Sequence, residues 1–213
     1  MKTDLLTPFE RIPYFTIEGF KQSSGMDRPA ILLHRWAKAG KILSLKKGVY
    51  MTRRYYELHA RDGGFTEAVS AILFPNSYLS IEFVLQQNNL LTEATYPVTC
   101  ITPRNTRRIS NSLGEFWYRN IRADLFCGFS PYEYKGIRFF RASMAKALFD
   151  YLYLRPIPAA YRGATTDLAE EFRLNLDEVP SEDQKEFAHY VETSRSLKMM
   201  DVLKNFRRTV WKT

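Results

Sequence analysis

Basic side chains recur at helical spacing near the start of the chain. Arg28, Arg35 and Lys38 fall on one stripe of a segment whose other side is apolar. A guanidinium group can donate two hydrogen bonds to one base edge, and an ammonium group binds phosphate as a point charge. This pattern therefore favours binding of a polyanion over the making or breaking of covalent bonds.

The positive charge of the chain is concentrated before residue 62. The net charge is +8, and residues 1–61 carry 12 Lys and Arg against 5 Asp and Glu, whereas residues 62–213 carry 19 against 18. A nucleic acid or an anionic membrane surface would bind such a segment. The predicted order of helices and strands in this segment indicates which of these two partners fits.

Two short helices separated by a turn would position the basic stripe. Thr16 is a suitable N-cap for a first helix that ends near Lys21, and the polar stretch 22–25 forms the turn. Asp27 is the expected N-cap of a second helix, which Gly40 ends. The expected core face of this second helix consists of apolar residues four and three apart: Leu32, Trp36 and Ala39.

A hairpin with a basic tip follows the second helix. Residues 41–45 and 49–52 are strand-like and are joined by two lysines and a glycine. Helix, turn, helix and hairpin in this order are typical of a winged helix-turn-helix, which places its second helix in the major groove of DNA. A winged helix that contacts only protein is the alternative.

The residues predicted to contact DNA divide into two groups. Side chains on the second helix would reach base edges, and the first helix, the turn and the hairpin would bind the phosphate backbone. The base-edge group is Arg28, His34, Arg35 and Lys38. The backbone group is Thr16, Gln22, Ser23, Ser24, Lys46, Lys47, Arg53 and Arg54.

The rest of the chain predicts a second, larger domain of the α+β class. The polar stretch 61–64 is the expected flexible junction, so residues 1–61 and 65–213 should each fold alone. Helices are expected over 65–74, 78–91 and 143–154, and strands of a small antiparallel sheet over 96–102, 114–122 and 136–141.

One pattern in the second part could support catalysis. Asp124, Glu133 and Lys135 are similar in spacing to the D…ExK core of Mg²⁺-dependent restriction-type nucleases. A solvated β-turn explains the same residues without any catalytic role. Lys146 and Asp150, four residues apart, are expected to form an exposed helix pair. We predict no enzyme activity, cofactor or metal, and a nuclease with a winged helix is the alternative.

Other sequence features limit the compartment and the chemistry. No apolar run approaches the roughly 20 residues of a membrane span, so no membrane association and a cytoplasmic location are expected. Cys100 and Cys127 lack the spacing of a zinc or redox site and are expected to be buried thiols.

Three segments resemble the AbiEi family of antitoxins from type IV toxin-antitoxin systems. Residues 40–50, GKILSLKKGVY, are similar to the family's G-x-I-x-x-L-x-x-G-V-Y. Residues 77–91, SYLSIEFVLQQNNLL, resemble its Y-L-S-x-E-S-A-L-x-x-x-G-L, and residues 142–150, ASMAKALFD, its A-S-P-E-K-A-L-x-D. The segments occur in the family's order.

The resemblance implies two functions. The N-terminal part would repress its own operon by binding duplex operator DNA, with a homo-oligomer on the DNA as one arrangement. The C-terminal part would neutralise a toxin of the nucleotidyltransferase class. A stand-alone winged-helix regulator without a toxin is the alternative.

Overall fold

The structure is a computed structural model that describes residues 5–92, 97–158, 161 and 166–211.

Capping residues set the limits of the first helix. The Thr16 side chain accepts a hydrogen bond from the Gly19 N–H at 3.0 Å, which confirms the predicted N-cap, and Gly25 ends the helix with φ of 67°. The elements up to residue 61 are a 3₁₀ turn (Thr7–Phe9), β1 (Phe15–Thr16), α1 (Ile17–Ser24), α2 (Ala30–Lys38), β2 (Ile42–Lys46), β3 (Val49–Thr52) and α3 (Arg53–His59).

Helix α2 differs from the prediction at both ends. Its N-cap residue is Pro29 rather than Asp27, and no side chain caps it. Leu33 is fully buried, and Leu32 and Trp36 are half-buried. Ala39 is exposed, contrary to the prediction, because the helix ends at Lys38 and residue 39 no longer follows the helical face.

The first part combines a small sheet with a separate aromatic core. The sheet is antiparallel with the strand order β1-β3-β2. Beneath it, α1 and α2 pack through a cluster of six buried residues: Leu6, Phe9, Phe15, Phe20, Leu33 and Ile42. This cluster holds α2 so that its other face is open to solvent.

The second part is built on a six-stranded sheet. Its elements are α4 (Phe65–Leu73), β4 (Tyr78–Leu79), α5 (Ile81–Gln87), β5 (Val98–Thr102), β6 (Arg107–Asn111), β7 (Gly114–Asn120), a 3₁₀ turn (Ala123–Leu125), β8 (Phe129–Tyr134), β9 (Ile137–Ala142), α6 (Met144–Leu154), α7 (Leu168–Glu171), α8 (Ser181–Ser194) and α9 (Leu197–Thr209). The strand order is β6-β7-β5-β4-β9-β8.

The α+β class is confirmed, but the sheet is not the small antiparallel sheet predicted. Strands β5 and β7 run parallel, as do β4 and β9, so the sheet is mixed. The predicted helix over 78–91 begins instead with β4, and Tyr96 of the predicted strand over 96–102 lies outside the described residues. Strands β6 and β8 were missed because they are sheet edges with mostly exposed side chains.

The two parts share an apolar core. Leu45 and Val49 of the hairpin, with Met51 and Tyr55, belong to the same buried cluster as Phe65 and the sheet residues of the second part. The junction is polar as predicted, but it is held in place rather than free. The Tyr134 hydroxyl donates to Asp62 Oδ2 at 2.9 Å, and His59 Nδ1 lies 2.9 Å from the same oxygen. Independent folding of residues 1–61 and 65–213 stays a prediction.

Candidate nucleic-acid interface

The exposed face of α2 carries most of the predicted base-edge residues. Ile31, His34, Arg35 and Lys38 are exposed on it, and Arg28 is exposed just before it. Ile31, 70% exposed, shows how open this face is. Among the described residues, none of the four predicted base-edge side chains forms an ion pair. These groups are therefore available to an external ligand.

Helix α1 and its N-cap supply polar groups with different roles. Gln22, Ser23 and Ser24 were predicted to form the turn, but α1 continues to Ser24 and includes all three. Gln22 and Ser23 are exposed, whereas Thr16 is committed to capping α1. The Ser24 hydroxyl donates to the Phe20 carbonyl at 2.7 Å and accepts from the Met26 N–H at 3.3 Å. Thr16 and Ser24 thus stabilise the two ends of α1, and Gln22 and Ser23 remain open to solvent.

The two lysines of the hairpin have opposite environments. Lys46 Nζ donates to the carbonyls of Ile72 and Leu73 at 2.7 and 3.0 Å, at the C-terminal end of α4. Burial, and then the nearby Arg107, lower the pKa of Lys46. Lys47 is exposed at the tip. The structure therefore uses Lys46 to dock the hairpin on α4 and leaves Lys47 for a ligand.

Arg53 and Arg54 are exposed but have partners within the chain. Arg53 Nε donates to the Gly40 carbonyl at 3.2 Å and lies 4.0 Å from Glu57. Arg54 lies 3.4 Å from Glu10. These contacts join α3 to neighbouring residues, and both arginine side chains remain exposed.

Sequence reasoning missed a second group of cations next to the hairpin. Arg104, Arg107 and Arg108 are exposed on β6 and the loop before it. Asn111 Nδ2 donates to the Leu45 carbonyl at 3.0 Å and joins the end of β6 to β2. The signal was present as PRNTRR at 103–108, but it disappeared when charge was summed over residues 62–213.

Asp124 and Lys135 of the nuclease-like pattern have separate partners, and Glu133 is exposed on β8. Arg122 donates two hydrogen bonds to Asp124, at 3.1 and 2.7 Å, and these bonds lower the pKa of that carboxyl. Lys135 Nζ lies 3.1 Å from His59 Nδ1 and 3.7 Å from Asp62. In the described part of the chain, no three His, Cys, Asp or Glu side chains lie close enough to hold a metal ion.

The Lys146–Asp150 pair is buried, contrary to the prediction of an exposed pair. Both side chains are 0% exposed and form an ion pair inside the second part. Asp150 Oδ2 also accepts from the Tyr78 hydroxyl at 2.9 Å and the Ser80 hydroxyl at 2.7 Å. Burial raises the pKa of the Asp150 carboxyl against the opposing effect of Lys146. The prediction failed because α6 is buried on all sides, from Ala145 to Leu152.

One of the two cysteines also differs from expectation. Cys100 is buried, as predicted, whereas Cys127 is exposed. Burial raises the pKa of the Cys100 thiol to about 12, which keeps that thiol protonated at neutral pH. Cys100 is therefore a core side chain.

Two comparisons with known proteins gave no match for this chain. No known family matches its sequence, and no curated protein does either. Within the described residues, no helix has the length and apolar character needed to cross a membrane.

Proposed function

We propose that this chain is a cytoplasmic, DNA-binding transcriptional regulator whose first 61 residues form a winged helix-turn-helix. The single observation that carries the proposal is the exposed basic face of α2, whose cations have no ion-pair partner among the described residues. The element order and the antiparallel β1-β3-β2 sheet support it, because a winged helix places its second helix and hairpin in this relation.

In this proposal the residues divide according to their surroundings. Arg35 and Lys38, one turn apart on α2, contact base edges in the major groove, with Arg28 and His34 beside them. Lys47, Gln22 and Ser23 bind the backbone. Lys46 holds the hairpin against the C-terminal end of α4 and makes no primary contact with DNA.

The test is selection of bound sequences from a random pool of duplex DNA by the full-length protein. We expect an enriched sequence that wild type binds above random duplex. Arg35→Ala should lose that preference, and Arg35→Lys, which keeps the charge but loses the bidentate fork, should lose most of it. Lys47→Ala should weaken selected and random duplexes equally.

Two outcomes would contradict the proposal. One is a wild-type protein that enriches no sequence and binds duplex no more tightly than serum albumin does. The other is an Arg35→Ala variant that matches wild type on the selected duplex. Lys185→Ala removes an exposed lysine of α8 and is the charge-matched control.

We further propose that the second part is the antitoxin unit of a type IV system and that the regulator represses its own operon. The support is the order of the three motifs, together with one contact. Ser80 belongs to the second AbiEi-like segment, and Lys146 and Asp150 belong to the third; all three lie in one buried hydrogen-bonded cluster. Residues far apart in the sequence thus serve one structural unit.

The antitoxin proposal is tested by coexpression with the product of the adjacent gene. A neighbouring nucleotidyltransferase that stops growth alone, and not when this protein is present, is the expected result. A reporter gene placed behind the region upstream of this protein's own gene should be repressed by wild type and not by Arg35→Ala. A toxic neighbour that this protein does not neutralise would support a stand-alone regulator instead.

A further inference from the structure

Strand β6 lies beside the hairpin and presents only polar side chains at its exposed positions. Arg107, Arg108 and Ser110 are exposed, and β6 is an edge of the six-stranded sheet. The Asn111 side chain binds the Leu45 carbonyl, so the strand is fixed next to β2. The surface formed by Arg104, Arg107 and Arg108 is called the β6 arginine surface below.

The aromatic neighbours of these arginines hold their guanidinium groups in place. The guanidinium carbons of Arg107 and Arg104 lie 5.2 and 6.0 Å from the centre of the Phe74 ring. The guanidinium carbon of Arg108 lies 4.3 Å from the centre of the Trp117 ring. Stacking on a ring face leaves the N–H edge of a guanidinium group free to donate to an anion.

Several positive groups lie close together at the C-terminal end of α4. Lys46 is anchored on the carbonyl of Leu73, and Arg107 is close enough to contribute to the lowered pKa of Lys46. Among the described residues, Arg104, Arg107 and Arg108 form no ion pair; Glu82 lines the adjoining cleft and forms none with them. Such like charges repel one another, and an anion bound between them would offset that repulsion.

The hairpin itself is too short and too firmly docked to act as an extended wing. Lys46 pairs with Val49, so only Lys47 and Gly48 form the turn. The Gly48 carbonyl accepts from the Ile17 N–H at 2.9 Å, and Lys46 is held by α4. Phosphates beyond the reach of Lys47 therefore need another source of positive charge.

We propose that the β6 arginine surface binds backbone phosphates of the same duplex DNA that α2 reads. This inference rests on the proposed function and assigns to the second part a contact that a longer wing would make. A protein partner fits less well, because protein interfaces have an apolar centre and the exposed positions of β6 are Arg, Arg and Ser.

The experiment measures binding of full-length protein to the selected duplex and to random duplex across salt concentrations. The double variant Arg104→Ala/Arg107→Ala removes two phosphate contacts, so the slope of log K against log salt should fall in magnitude by about 1.8, at roughly 0.9 per contact. Between about 50 and 200 mM salt, the variant should therefore lose about twelvefold less affinity than wild type. The preference for the selected duplex should stay the same.

Controls separate this inference from the proposed function. Lys185→Ala should keep the wild-type slope, and a circular dichroism melt should show that the double variant folds. One outcome would overturn the inference and leave the proposed function standing. In it, Arg35→Ala changes the sequence preference while the double variant keeps the full wild-type slope. A wild-type protein with no affinity for any duplex would overturn both.

Discussion

Helices α2 and α6 both carry basic side chains, but they lie in opposite environments. On α2 the cations are exposed and have no ion-pair partner in the described part of the chain. On α6, Lys146 is fully buried and its charge is matched by Asp150. The difference follows from the rest of each helix. α2 has one apolar face, whereas α6 is buried almost all round.

Charged side chains on these two helices therefore have different uses. Exposed cations on α2 can bind a ligand and contribute little to stability. The buried pair on α6 joins two distant segments and cannot reach a ligand without unfolding. Three substitutions, ordered by the expected loss of unfolding free energy, test this distinction.

The largest effect is expected at Asp150. Asp150→Ala leaves the Lys146 ammonium buried without its partner, which should cost about 3–5 kcal/mol of unfolding free energy. The double variant Lys146→Met/Asp150→Leu removes both charges and should regain most of that loss, apart from about 1 kcal/mol for each stranded hydroxyl of Tyr78 and Ser80. Urea unfolding monitored by circular dichroism measures both.

The matched control for this prediction is an exposed pair with the same spacing. Arg53 and Glu57 are also four residues apart, but both are exposed. Glu57→Ala should change the unfolding free energy by no more than about 0.5 kcal/mol. Equal losses at Glu57 and Asp150 would mean that burial does not distinguish the two pairs.

An intermediate effect is expected at the hairpin. Lys46→Met keeps the apolar stem but removes two charge-assisted hydrogen bonds to the end of α4, at a cost of about 1–2 kcal/mol. Lys47→Met, one residue further along, should change stability by about 0.5 kcal/mol or less. Thermal unfolding of the two variants side by side tests this, and a larger loss for Lys47→Met would reverse our assignment of their roles.

The smallest effect is expected at the junction and depends on pH. The hydrogen bond from Tyr134, followed by that from His59, lowers the pKa of Asp62 in the folded protein. The stability that Asp62 contributes is therefore complete above the pKa of this carboxyl in the unfolded chain, about 4. It is lost as pH falls through the lower pKa of the folded protein. Asp62→Asn should be less stable than wild type at neutral pH, and the gap should close in acid.

Urea midpoints measured from neutral pH into acid give this comparison directly. Asp201→Asn alters an exposed carboxylate on α9 and is the control for loss of one negative charge. A gap between Asp62→Asn and wild type that widens in acid would show that the junction does not hold the Asp62 carboxylate in its charged form.

Local signals predicted several elements of the fold correctly. Thr16 caps α1, and Ser143 caps α6 by accepting from the Lys146 N–H at 3.0 Å. Caps and helical periodicity act within one or two turns, so a sequence contains all the information they need. The exposed stripe of α2 was predicted for the same reason.

Features that depend on distant partners were not predicted. The environment of Lys46 is set by carbonyls 26 and 27 residues away, and that of Asp150 by hydroxyls about 70 residues away. Strand β4 has only two residues, too few to show a period of two. Edge strands β6 and β8 lack an apolar alternation because water covers most of their side chains.

The docked hairpin also sets an order of events during synthesis of the chain. Leu45 gains its contact with Asn111 only after β6 has left the ribosome, and Lys46 gains its anchor only after α4 has emerged. A nascent chain that has reached residue 61 carries the basic stripe of α2, but its hairpin still lacks both supports. We therefore expect a premature stop between residues 61 and 72 to yield a product whose hairpin lacks both supports and is cut by proteases faster than that of the full chain.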